Sequence, residues 1–108
     1  MENILLDLLK NNNFINQLRQ NMVFDETSYQ DLLNILEKLK IHLKNKDVIK
    51  KELAAYLYEI PKIVFIWHQN LSNDLNYKNK IIINQLEDAW VELDALIGED
   101  ILWRTEST

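Results

Sequence analysis

The chain has 108 residues, a net charge of −5 from 17 acidic against 12 basic side chains, and 47% apolar residues. Such a chain supports one core without staples and is too apolar for a disordered polymer, and its sign disfavours broad binding to nucleic acid or anionic membranes. Cysteine is absent, which excludes disulfides and thiolate metal sites. One glycine, Gly98, and one proline, Pro61, leave little material for the turns of a sheet protein, so long helices with short connections are expected.

The N-terminus, Met1-Glu2-Asn3-Ile4, lacks the cationic segment of a secretory signal. No apolar run approaches the ~20 residues that span a bilayer. The expectation is a soluble cytoplasmic protein with no membrane association, built as one helical domain over 1–108 with a frayed tail at 104–108.

In chain order, Ile4, Leu8, Ile15, Leu18 and Met22 fall on one helical stripe that also passes through Asn11. The run Asn11-Asn12-Asn13 either sits inside one helix or splits it, because Asn side chains compete for backbone hydrogen bonds. The stretch from Asn21 to Thr27 reads as a connection, and Thr27 with Gln30 has capping-box spacing. A second helix then runs to Leu43 or Asn45 with Leu32, Leu36, Leu39 and Leu43 as its stripe. Asp47 is placed to cap a third, in which Ile49, Leu53, Leu57, Ile60, Val64, Trp67 and Leu71 recur every three or four residues.

That third stripe passes through Pro61, so the helix is expected to be kinked or broken there. Ile63 to Trp67 is apolar on every side, which suits a fully buried helix, a partner-docking surface or a short strand. Asn70 to Lys78 is a polar connection. The last helix, Ile81 to Ile97, places Ile82, Leu86, Ala89, Trp90, Leu93, Leu96 and Ile97 on one side, and Gly98 suits a left-handed C-terminal cap. The fold expected is all-α, an up-and-down four-helix bundle.

The residues of functional interest are Glu87, Asp88, Glu92, Asp94, Glu99, Asp100 and Trp103, with the apolar Ile81 and Val91 inside the acidic arc. Carboxylates at this spacing repel one another, and near a helix C-terminus they oppose the dipole. A chain without partners gains by placing lysine there, so the acidic face is expected to dock a basic protein, with Trp103 as an aromatic anchor. The opposing block of Lys38, Lys40, Lys44, Lys46, Lys50 and Lys51 is interrupted by Glu37 and Asp47 and reads as a solubilising surface.

Lys51-Glu52-Leu53-Ala54-Ala55-Tyr56-Leu57-Tyr58-Glu59-Ile60-Pro61 resembles the first half of a helix-turn-helix. That resemblance implies a DNA-binding regulator, but Glu59 stands where the motif takes a turn glycine. Ile63, Ile66 and Trp67 stand where base-reading polar side chains belong.

Catalysis has little to work with. No nucleophile elbow or phosphate loop is present, and His42 and His68 lie on different helices outside any Glu-x-x-His pair. No enzymatic activity, cofactor or metal is expected. The leading expectation is a small acidic inhibitor, an immunity protein or antitoxin that covers the basic surface of a cognate protein such as a nuclease toxin. The alternatives are the DNA-binding regulator, a secretion or assembly chaperone, and a self-associating homo-oligomeric bundle that buries Ile63, Phe65 and Ile66.

Overall fold

The computed structural model describes residues 2–44, 46, 48–74, 77 and 79–102, and among them all regular structure is helical. The helices are α1 (Glu2–Asn11), α2 (Phe14–Asn21), α3 (Glu26–Leu43), α4 (Lys51–Ser72) and α5 (Lys80–Leu93), and a π-helical segment (Asp94–Leu102) prolongs α5. Helix α3 packs on α1, α2 and the π segment, while α4 packs on α2, α5 and the π segment. With α1 and α2 forming one arm, the packing is consistent with a four-helix bundle.

The asparagine run splits the first arm, and the chemistry is local. The Asn12 side-chain oxygen accepts from the Phe14 N–H at 3.0 Å, and its amide donates to the Ser28 carbonyl at 2.9 Å. Asn12 thereby takes over a donor that opening the helix sets free and ties the break to α3. The break also changes the phase of the apolar stripe. Leu5, Leu6, Leu9, Phe14 and Leu18 are buried, whereas Ile4, Leu8 and Met22, expected inside, are exposed. Met22 ends α2 in the left-handed region at φ 52°.

Helix α3 begins one residue before the expected cap. Asp25 is its N-cap residue and accepts from the Ser28 hydroxyl at 2.8 Å, while Gln30 bonds Glu26 rather than Thr27. Its stripe is as expected, with Leu32, Leu36, Leu39 and Leu43 buried together with Tyr29 and Ile35. Helix α4 starts after Lys50, whose N–H donates to the Glu2 carboxylate at 3.1 Å and whose ammonium contacts the Asn3 side chain. Asp47, the expected cap, lies outside the described residues.

Helix α4 then runs without interruption through Pro61 to Ser72, so no new helix starts at the proline and no strand forms at 63–67. Leu53, Leu57, Ile60, Val64 and Leu71 are buried along one face. Of the alternatives for 63–67, burial on all sides is not met, because Phe65 is 38% and Ile66 45% exposed.

Asn79 caps α5, its side-chain oxygen accepting from Ile81 and Ile82 at 3.2 and 3.3 Å. The helix does not end at Gly98. It continues to Leu102, and no glycine has positive φ, so the left-handed cap does not form. Continuation past Gly98 buries Ile101 in the same core as Leu86, Leu93, Leu96 and Ile97. Each such side chain, moved fully from water, contributes about 1.5–3 kcal/mol, and that outweighs the helical preference lost at one glycine. No helix among the described residues is long and apolar enough to cross a membrane.

Candidate docking surface

The core side of α5 packs on α4, and the π segment that prolongs it packs on α3 and α4, so the outer arc is set by what remains. Glu87, Asp88, Glu92, Asp94 and Glu99 are all exposed, with Val91 55% and Ile81 73% exposed among them. These carboxylates are therefore solvent-facing, and they share the outer side of the helix with apolar side chains. Trp103 and the side chain of Asp100 lie outside the described residues.

Its two flanks differ from its centre. On the α3 side the Tyr29 hydroxyl donates to the Glu92 carboxylate at 2.5 Å. Burial, and then this bond, push the Tyr29 hydroxyl far above the ordinary tyrosine range. On the α4 side His68 Nε2 lies 4.0 Å from the Glu87 carboxylate and 3.5 Å from the Ser72 hydroxyl, while His68 Nδ1 is buried without a hydrogen-bond partner. Between and beyond these flanks, no hydrogen bond or ion pair among the described residues engages Asp88, Asp94 or Glu99. The Tyr29 hydroxyl tethers the arc at Glu92, and the rest faces solvent.

Beside it lies a feature that sequence reasoning missed. Tyr58, Pro61, Lys62 and Phe65 on α4 face Trp90, Asp94, Ile97, Gly98 and Leu102 across an open, largely apolar cleft of about 390 Å³. Phe65 packs edge-on against Trp90 with ring centroids 4.9 Å apart, and the Lys62 ammonium sits 5.7 Å from the Tyr58 ring centre. The signal was present in the sequence. Tyr58, the adjacent Pro61 and Lys62, and Phe65 recur at spacings of three and four as a second line beside the core stripe, and reading only the strongest stripe hides it.

The remaining candidates are distributed. Lys50 is engaged by Glu2 and Asn3, and Lys10 pairs with Glu52 at 2.6 Å, so the first arm holds the start of α4. The stretch resembling a helix-turn-helix is one unbroken helix where the motif requires a turn. His42 lines a shallow depression with Glu2, Asn3, Lys46 and Lys50, remote in the chain from His68. No group of His, Asp and Glu with metal-binding geometry occurs among the described residues.

Comparison with protein-family models, with curated proteins and with solved structures finds no significant match to this chain.

Proposed function

We propose that the chain is a non-enzymatic protein-binding module whose last helix docks a basic partner protein. The observation that supports this most directly is the row of solvent-facing carboxylates from Glu87 to Glu99, with Val91 exposed among them and Ile81 exposed at the start of the same helix. Unpaired carboxylates on a helix attract a cationic surface and speed its encounter, and exposed apolar side chains hold what arrives. The partner class that fits is a protein with a concentrated basic surface, such as a nuclease toxin, which the chain would neutralise as an immunity protein or antitoxin in the cytoplasm. The exposed Phe65 and Ile66 keep a self-associating bundle as the second reading.

The same reading takes the whole chain as one domain, with its four arms alternating in direction and α4 bent at Pro61. The bend has a physical basis, since proline offers no N–H to the Leu57 carbonyl and its ring crowds that oxygen.

Changing Glu87, Asp88 and Glu99 to Lys tests the proposal while sparing the Glu92 bond to Tyr29. In a tagged pull-down washed with rising salt, the parent chain should retain one basic protein that high salt releases, and the triple variant should lose it with its helical circular dichroism unchanged. Equal retention by both chains sinks the acidic-face reading. Recovery of DNA, or only of further copies of the chain, favours a regulator or the self-associating bundle.

A further inference from the structure

We infer that the cleft between α4 and the π segment is the anchor pocket of this docking surface, receiving one aromatic or leucine-sized side chain from a basic segment of the partner. The inference rests on the proposed acidic-face reading and adds what the partner segment must look like.

The cleft is preformed and in contact with the acidic row. Its floor is apolar, made by Pro61, Phe65, Trp90 and Ile97, and Asp94 belongs both to its wall and to the acidic arc. At about 390 Å³ it lies at the small end of ligand-sized sites, enough for one large side chain rather than a whole peptide. Gly98 keeps that wall low: a methyl group there would meet only the Asp94 carboxylate at 3.6 Å, an ordinary contact, whereas a branched side chain would project into the space.

Charge fixes the occupant's flanks. Asp94 stands at the start of the π segment, and Glu87 and Val91 continue back along the same side of α5, whereas the α4 wall ends in the Lys62 ammonium held over Tyr58. A cationic flank is therefore drawn to the α5 side and repelled from the α4 side. Glu87 and Asp94 are seven positions apart. That is about 10 Å of rise, or roughly three residues of an extended chain. An extended segment with its anchor beside Asp94 sets Lys or Arg over Glu87 within about three positions of that anchor. A buried aromatic in a fitted pocket ringed by weaker polar contacts is the usual composition of an interface hot spot.

The test uses the full chain, nitrogen-15 labelled, and an acetylated, amidated probe peptide Gly-Lys-Phe-Arg-Ala-Lys-Gly. Two analogues accompany it, one with Phe replaced by Ala and one with the three cations replaced by Gln. Binding of the parent peptide should move the Trp90 indole N–H and the Gly98 amide, and each analogue should bind at least tenfold more weakly. Gly98→Leu should abolish the shift at Trp90 while Gly98→Ala retains it, and Lys62→Gln should tighten binding modestly. Equal affinity of the Phe and Ala peptides, with shifts confined to amides of 87–92, overturns the anchor pocket and leaves the acidic face standing. Shifts in the cleft that ignore the loss of peptide cations overturn the charged flank and the acidic-face reading together. No shift at either place up to millimolar peptide overturns the pocket. The peptide pair decides even if a cleft variant fails to fold.

Discussion

Tyr29→Phe isolates the tie between the acidic helix and the rest of the bundle. The Tyr29 ring is 5% exposed and packs against Phe14 and Phe24 with centroids 5.1 and 5.2 Å away. Removing the hydroxyl keeps those contacts and strips one bond, the 2.5 Å donation to Glu92. Hydrogen bonds to charged groups contribute ~1.5–3 kcal/mol when shielded. Glu92 is exposed, so solvent screening brings this below the shielded range, and a loss of about 1 kcal/mol at neutral pH should lower Tm by roughly 4–8 °C in a chain of this size.

The pH dependence is the sharper readout. Because burial and the bond to Glu92 raise the Tyr29 hydroxyl, the folded chain keeps a proton that the unfolded chain releases. Unfolded tyrosine loses that proton near pH ~10, so above this the unfolded state binds fewer protons and stability falls, by at most about 1.4 kcal/mol per pH unit from this group. The contribution is fully present below that pH and is lost as pH rises toward the folded value. Tyr29→Phe should flatten this decline in urea titrations followed by far-ultraviolet circular dichroism between neutral pH and about pH 11. Parallel curves for parent and variant across that range would refute the coupling.

Two further substitutions test the first arm. Asn12→Ala removes the acceptor for Phe14 N–H and the donor to the Ser28 carbonyl. It should cost about 1–3 kcal/mol, read as a lower urea midpoint with an unchanged slope. A variant as stable as the parent would mean that the helix break does not depend on this side chain. Glu52→Gln removes the exposed pair with Lys10, which raises the Lys10 ammonium and lowers the Glu52 carboxyl chiefly through their mutual hydrogen bond. Both groups face solvent, so the urea midpoint should stay where it is. A clear drop would show that the first arm is held by charge rather than by Leu5, Leu9 and Leu18.

What the sequence made legible follows from which signals are periodic. The stripe of α3 and the stripe from Leu53 to Leu71 repeat with the helical period, so the all-helical fold and most of the core could be read directly. The first arm could not be read in phase. Asn12 resets the register, and a one-position change in phase exchanges Ile4 and Leu8 for Leu5 and Leu9 as the buried pair. Gly98 misled for a different reason. A glycine after an apolar helix is an ordinary stop signal, but here Ile101 lies beyond it and its burial carries the helix on. Pro61 signals a lost hydrogen bond, yet Val64 and Leu71 bury beyond it on the same face, and that packing keeps α4 whole. The acidic row was legible because charge needs no phase to be noticed. The cleft was not, because it requires α4 and α5 to be brought together.

The distribution of charge along α5 leads to a last prediction. Asp88 and Glu92 are four residues apart and Asp94 and Glu99 lie toward the C-terminal end, so each repels a neighbour or opposes the helix dipole. Relief comes from Tyr29 at Glu92, on the α3 flank. The centre keeps its repulsion in the free protein, and counter-ions can screen it, since the Debye length shrinks from ~30 Å at 0.01 M to ~10 Å at 0.1 M salt. Sodium chloride over that range should therefore raise the Tm of the isolated chain while weakening its complex with a basic partner. The two slopes have opposite sign because the same unpaired carboxylates strain the free helix and attract the partner. Scanning calorimetry of the free chain reads the first slope directly. A Tm that is flat or falls with salt would mean that the carboxylates of α5 are already compensated within the fold, and a surface so compensated has little charge left with which to recruit a basic protein.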